Sequence, residues 1–218
     1  MRTKIIAEIG INHNGSMEIA KSLIDVASVA GCDYVKFQKR NPDVCVPEEQ
    51  KNKMRETPWG EMTYLDYKWK TEFDRNQYAE LFKYCEHRGI EMFASVWDKD
   101  SVDFMRQFTK VMKIPSALIT NLDLVEYARS HSDFLMISTG MSTEDEITRC
   151  VEAGDPSLIF HTNSSYPSPV EDLNLNYIDH LKETYPDKEI GYSGHEFGLV
   201  PSYTAVVKVA TLIERHIT

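Results

Sequence analysis

The sequence of 218 residues is short of positive charge. It contains 24 lysine and arginine residues against 34 aspartate and glutamate residues, which gives a net charge of −10 at neutral pH. Such a chain lacks the electrostatic attraction that non-specific binding to nucleic acid or to an anionic membrane requires. No apolar run approaches the roughly 18 residues of a transmembrane helix. We therefore expect neither nucleic acid nor a membrane among its partners.

Cysteine is also scarce, and its spacing indicates neither a disulfide framework nor a metal site. The four cysteines show no C-x-x-C pair, which is typical of free thiols in a reducing compartment. The apolar stretch before Glu8 is too short for the core of a secretory signal. These features predict a cytoplasmic protein. The absence of Gly-x-Gly-x-x-Gly after the first apolar segment disfavours a dinucleotide-binding fold.

Short apolar segments alternate along the chain with amphipathic segments at helical spacing. Apolar segments without polar alternation are typical of parallel strands covered by helices, and eight such units favour closure into a barrel. We predict an α/β protein whose residues 1–218 form a single (β/α)8 TIM barrel domain. The predicted strands are Ile5–Gly10, Tyr34–Gln38, Glu91–Trp97, Val111–Ser116, Phe134–Thr139, Leu158–Ser164, Glu189–Ser193 and Leu212–Thr218. The predicted helices cover 16–30, 74–88, 100–108, 121–131, 142–153, 173–184 and 198–210.

Two parts of the chain depart from a complete barrel. Residues 39–73 form a long connection that is rich in aromatic and charged residues. A structureless segment of this length is uncommon unless it serves as a lid or a binding loop. The sequence stops on the eighth predicted strand, so we expect a barrel truncated after that strand. We expect apolar surface to be exposed beside that strand.

Polar residues lie at the carboxyl ends of the predicted strands, where barrel enzymes carry their chemistry. Lys36 and Lys113 are flanked by apolar residues, so a closed barrel would bury both beside an anion such as a phosphate or a carboxylate. Glu8 is either their counter-ion or a general base. In the alternative arrangement, both lysines point outward and reach solvent past the helices. The remaining polar residues at these ends are Gln38, Ser95, Ser116, Ser138, Ser164, Tyr166 and Ser193.

Two histidines end the last two predicted strands. His195 and His216 are one strand-to-strand step apart, so neighbouring parallel strands would present both rings at the same end of the barrel. Imidazole suits first-row divalent metals, and two such ligands leave positions open for substrate and water. Each histidine taken alone is more often a hydrogen-bonded structural residue. The pair therefore predicts a metal site, with a structural role as the alternative.

Six motifs together resemble the sialic acid synthase family, that is, the N-acetylneuraminate and related nonulosonate synthases. The resemblance runs from about residue 5 to the end of the chain. The motifs are Ile6–Gly15 (IAEIGINHNG), Val35–Gln38 (VKFQ), Ser138–Met141 (STGM), Ser165–Pro167 (SYP) with Glu171–Asn174 (EDLN), Gly191–His195 (GYSGH) and Glu214–Thr218 (ERHIT).

This resemblance implies a transferase that condenses phosphoenolpyruvate with an open-chain amino sugar. The acceptor would be N-acetylmannosamine or a related sugar, either free or phosphorylated, and the products would be a nine-carbon 2-keto acid and phosphate. His195 and His216 match the ligands of a divalent metal, typically Mn²⁺, with Mg²⁺ or Co²⁺ as alternatives. Glu8 matches the acid that handles the proton of the attacking water.

The resemblance also implies which residues hold each substrate. The residues that match phosphoenolpyruvate contacts are Lys36, Lys113, Ser116, Ser138 and Ser193, and those that match sugar contacts are Gln38 and Tyr166. Two positions differ from the family pattern. Leu118 stands where an acid often faces the sugar, and Val96 stands where a threonine often supplies a phosphate donor.

The family continues beyond its eighth strand with a small antifreeze-like domain, which this sequence lacks. A homodimer is possible, although the family's dimer depends on that domain. Two alternatives to the synthase stay open. One is a metal-dependent sugar-phosphate aldolase or isomerase on the same barrel, and the other is a truncated barrel that binds phosphoenolpyruvate and metal without turnover.

Overall fold

The computed structural model describes residues 2–218 of the chain. Eight parallel strands close into a barrel, so the predicted (β/α)8 fold is confirmed. The barrel strands are β1 (Lys4–Gly10), β2 (Tyr34–Lys39), β5 (Glu91–Val96), β6 (Val111–Ile114), β7 (Phe134–Ser138), β8 (Leu158–Thr162), β9 (Glu189–Ser193) and β10 (Leu212–His216). Around the barrel they follow the order β1-β10-β9-β8-β7-β6-β5-β2. The last strand of the sequence therefore pairs with the first.

Helices cover the outside of the barrel and connect consecutive strands. The helices are α1 (Met17–Val29), α2 (Pro42–Cys45), α3 (Glu48–Lys51), α4 (Tyr64–Lys70), α5 (Arg75–Arg88), α6 (Lys99–Met105), α7 (Leu122–Ser130), α8 (Glu144–Gly154), α9 (Tyr177–Thr184) and α10 (Val200–Val207). Within residues 2–218, no helix has the length and apolar content that a membrane span requires.

Side-chain caps mark the starts of seven of these helices, whereas α3, α9 and α10 lack one, and the starts of α8 and α9 differ from the sequence prediction. Helix α8 is capped by Thr143. The Thr143 side chain accepts a hydrogen bond from the backbone N–H of Glu146, and the Glu146 side chain accepts one from the backbone N–H of Thr143. The predicted start at Ser142 is therefore one residue early. Helix α9 begins at Tyr177 and not at residue 173. A 3-10 turn over Val170–Asp172 precedes the predicted start, and within the predicted first turn Asn174 has a φ of 41°, which is incompatible with a right-handed helix.

Side chains alternate between the barrel interior and the helix layer, as the period of a strand requires. An apolar plug fills the middle of the interior and consists of Ile6, Phe93, Met136, Leu158, Phe160 and Leu212. Two positions further along the same strands the interior residues are polar, namely Glu8, Ser95, Ser138, Thr162 and Glu214. The change from apolar to polar residues creates a polar floor above the plug, at the carboxyl ends of the strands.

The connection between β2 and α5 is regularly structured, contrary to the loop that the sequence suggested. It contains α2, α3, a hairpin of β3 (Met54–Thr57) and β4 (Gly60–Thr63), and α4. Glu72 anchors its end, because one carboxylate oxygen lies 2.8 Å from Arg40 Nε and the other 3.3 Å from Lys39 Nζ. The short elements carry too little periodicity to be seen in the sequence.

The loop after β1 packs directly on this connection. Gly15 has a φ of 68°, and a Cβ atom there would overlap the carbonyl oxygen of Lys70. His13 is buried in the same loop and stacks on Phe73, with the ring centroids 4.3 Å apart. The connection and the first loop therefore form one packed unit beside the barrel mouth.

Apolar side chains are exposed on the two helices that flank the β10–β1 pair. Val207 on α10 is 82% exposed and Val29 on α1 is 90% exposed. Helix α10 packs on β9 and β10, whereas α1 packs on β1 and β2, so the two helices lie on either side of that pair. That a truncation of the barrel leaves apolar surface beside the last strand stays a prediction.

Candidate active site

A cavity of about 240 Å³ opens at the carboxyl ends of the barrel strands. All the site residues proposed from the sequence line it. These are Glu8, Lys36, Gln38, Ser95, Lys113, Ser116, Ser138, Ser164, Tyr166, Ser193, His195 and His216. Sequence reasoning missed six further lining residues, namely Trp97, Pro115, Ala117, Met141, Thr162 and Glu214.

Two lysines and two glutamates form the floor of this cavity, and all four are buried. Lys36 Nζ lies 2.6 Å from Glu8 Oε2 and donates a hydrogen bond of 2.9 Å to Ser95 Oγ. Lys113 Nζ lies 2.8 Å from Glu214 Oε1, and this oxygen is 3.7 Å from Lys36 Nζ. Both lysines therefore lie inside the barrel, and the outward arrangement is wrong.

The floor side chains shift one another's ionisation. Burial would raise the pKa of Glu214, but the charges of Lys113 and Lys36 outweigh burial and lower it. Burial lowers the pKa of Lys113, and the charge of Lys36 adds to this effect while Glu214 opposes it. Lys36 faces two carboxylates, so its pKa is raised despite burial. The low pKa of Glu214 keeps a carboxylate beside both ammonium groups.

Glu214 links strands β10, β9 and β6 across the floor. Its Oε1 atom accepts a hydrogen bond from Lys113 Nζ and another, of 3.2 Å, from Ser193 Oγ. The signal for Glu214 was present in the sequence, because a period of two places it on the same face as Leu212 and His216. Trp97 could have been found in the same way, since it continues the inward face of Phe93 and Ser95.

Gln38 forms one wall of the cavity and is held in a fixed orientation. Its amide nitrogen donates to Glu8, and its amide oxygen accepts a hydrogen bond of 2.6 Å from Trp97 Nε1. The donor and acceptor ends of the amide are thereby distinguished by their partners. The indole thus fixes which atoms of Gln38 and Glu8 face the cavity.

Hydroxyl groups surround the opposite side of the floor near Gly140. Gly140 N donates to Ser116 Oγ at 3.1 Å, and a Cβ atom at Gly140 would overlap Ser164 Oγ. The absent side chain allows the two serines to approach each other. Ser138 Oγ and Thr162 Oγ1 are buried without a hydrogen-bond partner. Buried hydroxyls are rarely left unpaired, so these two are available to a ligand.

The histidines lie next to each other at the rim. The ring centroids of His195 and His216 are 5.6 Å apart. His195 follows β9 and His216 ends β10, and these two strands are neighbours in the barrel. His195 Nδ1 lies 2.7 Å from the carbonyl oxygen of Asn163, and its Nε2 lies 2.7 Å from the hydroxyl of Tyr166. Burial lowers the pKa of His195, although the Asn163 carbonyl opposes this. With Nδ1 held by the carbonyl, Nε2 is the atom that would bind a metal, and the metal would take the place of the Tyr166 hydroxyl.

The donor set of the rim fits a divalent cation with open coordination positions. Within residues 2–218, no group of three or more His, Cys, Asp or Glu side chains is arranged to hold a metal. The two imidazoles would thus be the protein's ligands, and substrate and water would complete the shell. The carbonyl that orients His195 is the kind of outer partner that metal-ligating histidines commonly have.

The two positions that differ from the family pattern lie outside the main cavity. Val96 is buried in the layer between strands and helices, so a side chain at this position does not face the floor. The expectation that Val96 removes a donor from the cavity is therefore wrong. Leu118 lies in the 3-10 turn Ser116–Leu118 and lines a neighbouring pocket that shares Trp97 and Ala117 with the main cavity.

The fold and the site together define a closed (β/α)8 barrel with a buried lysine–glutamate floor and a pair of adjacent histidines at its rim. The chain belongs to the NeuB family, whose model matches residues 23–218. It is 36% identical over 222 residues to N-acetylneuraminate-9-phosphate synthase of Drosophila melanogaster, covering 98% of this chain and 59% of that protein.

Two further comparisons agree with this assignment. N,N'-diacetyllegionaminic acid synthase of Campylobacter jejuni is 31% identical over 227 residues, which cover 100% of this chain and 68% of that protein. The crystal structure of an N-acetylneuraminic acid (sialic acid) synthetase from Leptospira borgpetersenii, in complex with citrate, superposes with a TM-score of 0.90 at 29% identity. That match covers 100% of this chain and 74% of the other. The chain thus spans about six-tenths of the length of the animal relative.

Proposed function

We propose that residues 1–218 are the phosphoenolpyruvate-condensing barrel of a nonulosonate synthase. The barrel joins phosphoenolpyruvate to an N-acetylated amino sugar and gives a nine-carbon 2-keto acid and phosphate. The observation that carries this proposal is the buried pair of lysines next to two adjacent histidines. Relatives named as sialic, legionaminic and pseudaminic acid synthases support the same reaction type.

The floor holds the carboxylate and phosphate of phosphoenolpyruvate. Lys36 and Lys113 provide charged donors, and the hydroxyls of Ser116 and Ser138 provide neutral donors. The Ser193 hydroxyl donates to Glu214, so it would donate to the substrate only by giving up that hydrogen bond. Ser138 Oγ has no protein partner, so donating to the substrate costs it no existing hydrogen bond. Donors fixed in a dry cavity commonly stabilise a transition state by a few kcal/mol each, on the order of 3 kcal/mol.

Charge balance supports a divalent ion at the histidines. The two ammonium groups of the floor are offset by the carboxylates of Glu8 and Glu214, so the floor is close to neutral before substrate binds. Phosphoenolpyruvate adds at least two negative charges, which a barrel interior accepts poorly without further positive charge. His195 and His216 would hold that ion, for which Mn²⁺ is our first choice. When bound, the ion would polarise the sugar aldehyde as a Lewis acid.

With both substrates bound, phosphoenolpyruvate condenses with the sugar aldehyde in three steps. The C2=C3 π electrons of phosphoenolpyruvate form the bond from C3 to the aldehyde carbon, and the aldehyde oxygen takes up a proton from solvent and becomes a hydroxyl. Water adds to the electron-poor C2 and gives one proton to Glu8, which faces the cavity next to Gln38 and later returns that proton to solvent. The second proton of that water leaves with the phosphate as the C2–O bond to phosphate breaks and the carbonyl of the 2-keto acid forms. Gln38 and Tyr166 line the side of the cavity that would hold the sugar.

A phosphate-release assay tests this function. The chain is incubated with phosphoenolpyruvate and a panel of N-acetylated amino sugars, with and without Mn²⁺, and inorganic phosphate is measured. We expect release only when sugar, phosphoenolpyruvate and metal are all present. Release without phosphoenolpyruvate, or cleavage of a sugar phosphate, would indicate an aldolase or isomerase. Calorimetric binding of phosphoenolpyruvate without any release would indicate a barrel that binds but does not turn over.

A further inference from the structure

An ion pair lies directly behind the two rim histidines, between the barrel and helix α10. Arg215 precedes His216 in β10, and because side chains alternate along a strand, it faces α10 while His216 faces the barrel mouth. Glu196 follows His195 in the loop after β9. The Arg215 guanidinium pairs with the Glu196 carboxylate. We name Arg215 and Glu196 the histidine clamp, because each is the chain neighbour of one histidine.

The Arg215 side chain joins β10 to the loop and the helix that follow β9. Its Nη2 atom donates hydrogen bonds to the carbonyl oxygens of Glu196, at 2.6 Å, and Gly198, at 3.2 Å. Its Nη1 atom contacts the Glu196 carboxylate and donates a hydrogen bond of 2.9 Å to Ser202 Oγ in α10. The planar fork of an arginine permits several such bonds from one group, which the single nitrogen of a lysine cannot reproduce.

The Glu196 side chain is fully buried in a place that is shaped for its carboxylate. Tyr192 donates a hydrogen bond of 2.8 Å from its hydroxyl to Glu196 Oε2, and Arg215 pairs with Oε1. A Cβ atom on Gly194 would lie 2.5 Å from Oε2, so the glycine leaves room for the carboxylate. Buried charges require such partners. The clamp residues do not line the cavity, so they act on it only through their neighbours.

The clamp links the two histidine-bearing segments beyond the end of their shared ladder. Within residues 2–218, the last backbone hydrogen bond between these segments runs over 3.2 Å from Gly194 N to the carbonyl oxygen of Glu214. One residue further on, the carbonyl oxygen of His195 accepts instead from Ser168 N. Arg215 therefore provides the connection between the segments at the level of the histidines.

The two histidine rings differ in how they are held. The His195 ring is oriented through Nδ1 by the carbonyl oxygen of Asn163. Within residues 2–218, the ring of His216 makes no hydrogen bond, and its side chain is exposed. The separation of the two rings therefore depends on the backbone of β10 next to His216, which Arg215 ties to the loop that carries His195.

We propose that Arg215 and Glu196 are positioning residues for the metal site. They fix the separation of the two histidine rings that a divalent cation requires. This inference rests on the proposed function, which places the cation at these histidines. A site with two protein ligands has no third side chain that could compensate for a displaced ring. Residues outside the coordination shell that orient metal ligands commonly change metal affinity about 10- to 100-fold.

Calorimetry of Mn²⁺ binding to the full chain tests the proposal. We expect Arg215→Met to weaken Mn²⁺ binding by about 10- to 100-fold. Arg215→Lys keeps the charge but lacks the fork, so its loss of affinity should be smaller. Phosphoenolpyruvate affinity, measured with Mn²⁺ at a saturating concentration for each variant, should equal that of the parent chain. The floor that binds phosphoenolpyruvate keeps both of its lysines in every variant.

Two further variants separate positioning from stability. Arg215→Met leaves the Glu196 carboxylate buried without its cation, which lowers stability by itself. The double variant Glu196→Gln/Arg215→Met removes both charges and should lose the same Mn²⁺ affinity, because the clamp is absent in both. Lys208→Met is the matched control and should bind Mn²⁺ as the parent does, since Lys208 pairs with Asp179 at the other end of α10. Denaturant titration shows which variants fold.

The outcomes separate this inference from the proposed function. A parent chain without measurable Mn²⁺ affinity would overturn the metal site of the proposed function and the inference with it. Mn²⁺ affinity equal to that of the parent in a folded clamp variant would overturn the inference alone. Equal losses of Mn²⁺ and phosphoenolpyruvate affinity would show a general structural role of the clamp and would also overturn it. A loss of Mn²⁺ affinity in Lys208→Met as large as that in Arg215→Met would do the same.

Discussion

Lys113 and Glu214 form an ion pair of 2.8 Å across the barrel floor, and both side chains are almost fully buried. Removing one member of a buried pair leaves an uncompensated charge. We expect Lys113→Met and Glu214→Leu each to lower the free energy of unfolding by about 3 kcal/mol. The double variant Lys113→Met/Glu214→Leu should recover most of this loss. Denaturant titration of the single and double variants measures the coupling, and strictly additive losses would contradict a direct pair.

Ser138→Ala should separate substrate binding from stability. The Ser138 hydroxyl is buried without a hydrogen-bond partner, so its removal should change the free energy of unfolding little. Loss of its hydrogen bond to phosphoenolpyruvate should weaken binding about tenfold, as expected for one hydrogen bond to a charged group. Ser101→Ala is the control, because Ser101 Oγ is equally buried and unpaired but lies on α6 outside the cavity. Equal affinities in both variants would exclude Ser138 from the substrate site.

His195→Ala and His216→Ala should each abolish metal-dependent phosphate release, because a single imidazole anchors a divalent ion poorly. Mn²⁺ affinity measured by calorimetry should fall in parallel with activity. His87→Ala provides the control, since His87 is exposed at the end of α5 on the outside of the barrel. Manganese affinity equal to that of the parent chain in either rim variant would refute the metal site.

The free energy of unfolding should decrease as the pH is lowered, because of the titration of His13. Burial, and the nearby charge of Arg40, lower the pKa of His13 to about 4. The unfolded chain takes up the proton near pH 6.5, so the native state is fully stable above this pH and loses stability as the pH falls towards 4. From pH 7 to pH 5 the loss should be about 2 kcal/mol.

Denaturant titration of His13→Asn at pH 7 and pH 5 measures this contribution. The amide oxygen of asparagine can accept the hydrogen bond that His13 Nδ1 accepts from Gly15 N. The variant should therefore lose less stability between the two pH values than the parent chain. Buried His161, whose pKa is also lowered by burial, should leave part of the dependence in place. An unchanged pH dependence would show that His13 is accessible to protons in the native state.

The family of this chain and its barrel could be predicted from the sequence because both depend on local patterns. Apolar runs that end in polar residues mark strands of a closed parallel sheet, and the period of two assigns each residue to the inside or the outside. Lys36 and Lys113 stand out because lysine is rarely flanked by apolar residues in a strand. His195 and His216 stand out because they end consecutive strands.

Other features depended on contacts between distant parts of the chain. The connection between β2 and α5 consists of elements of four to seven residues, which are too short to be stable without the neighbours on which they pack. The partner of Lys113 was also hidden, because Glu214 is far away in sequence and its strand lies opposite β6 only after the barrel closes.

The amino-acid sequence alone determined the order of the strands and helices along the chain. It also determined the identity of most residues that line the cavity. Strand periodicity and chain order are local properties, so both can be read without the tertiary structure. Only the tertiary structure decided that both lysines point inward, which carboxylate neutralises each of them and that Arg40 stacks on Trp97. These arrangements depend on distances across the barrel, which closure fixes and which no local pattern contains.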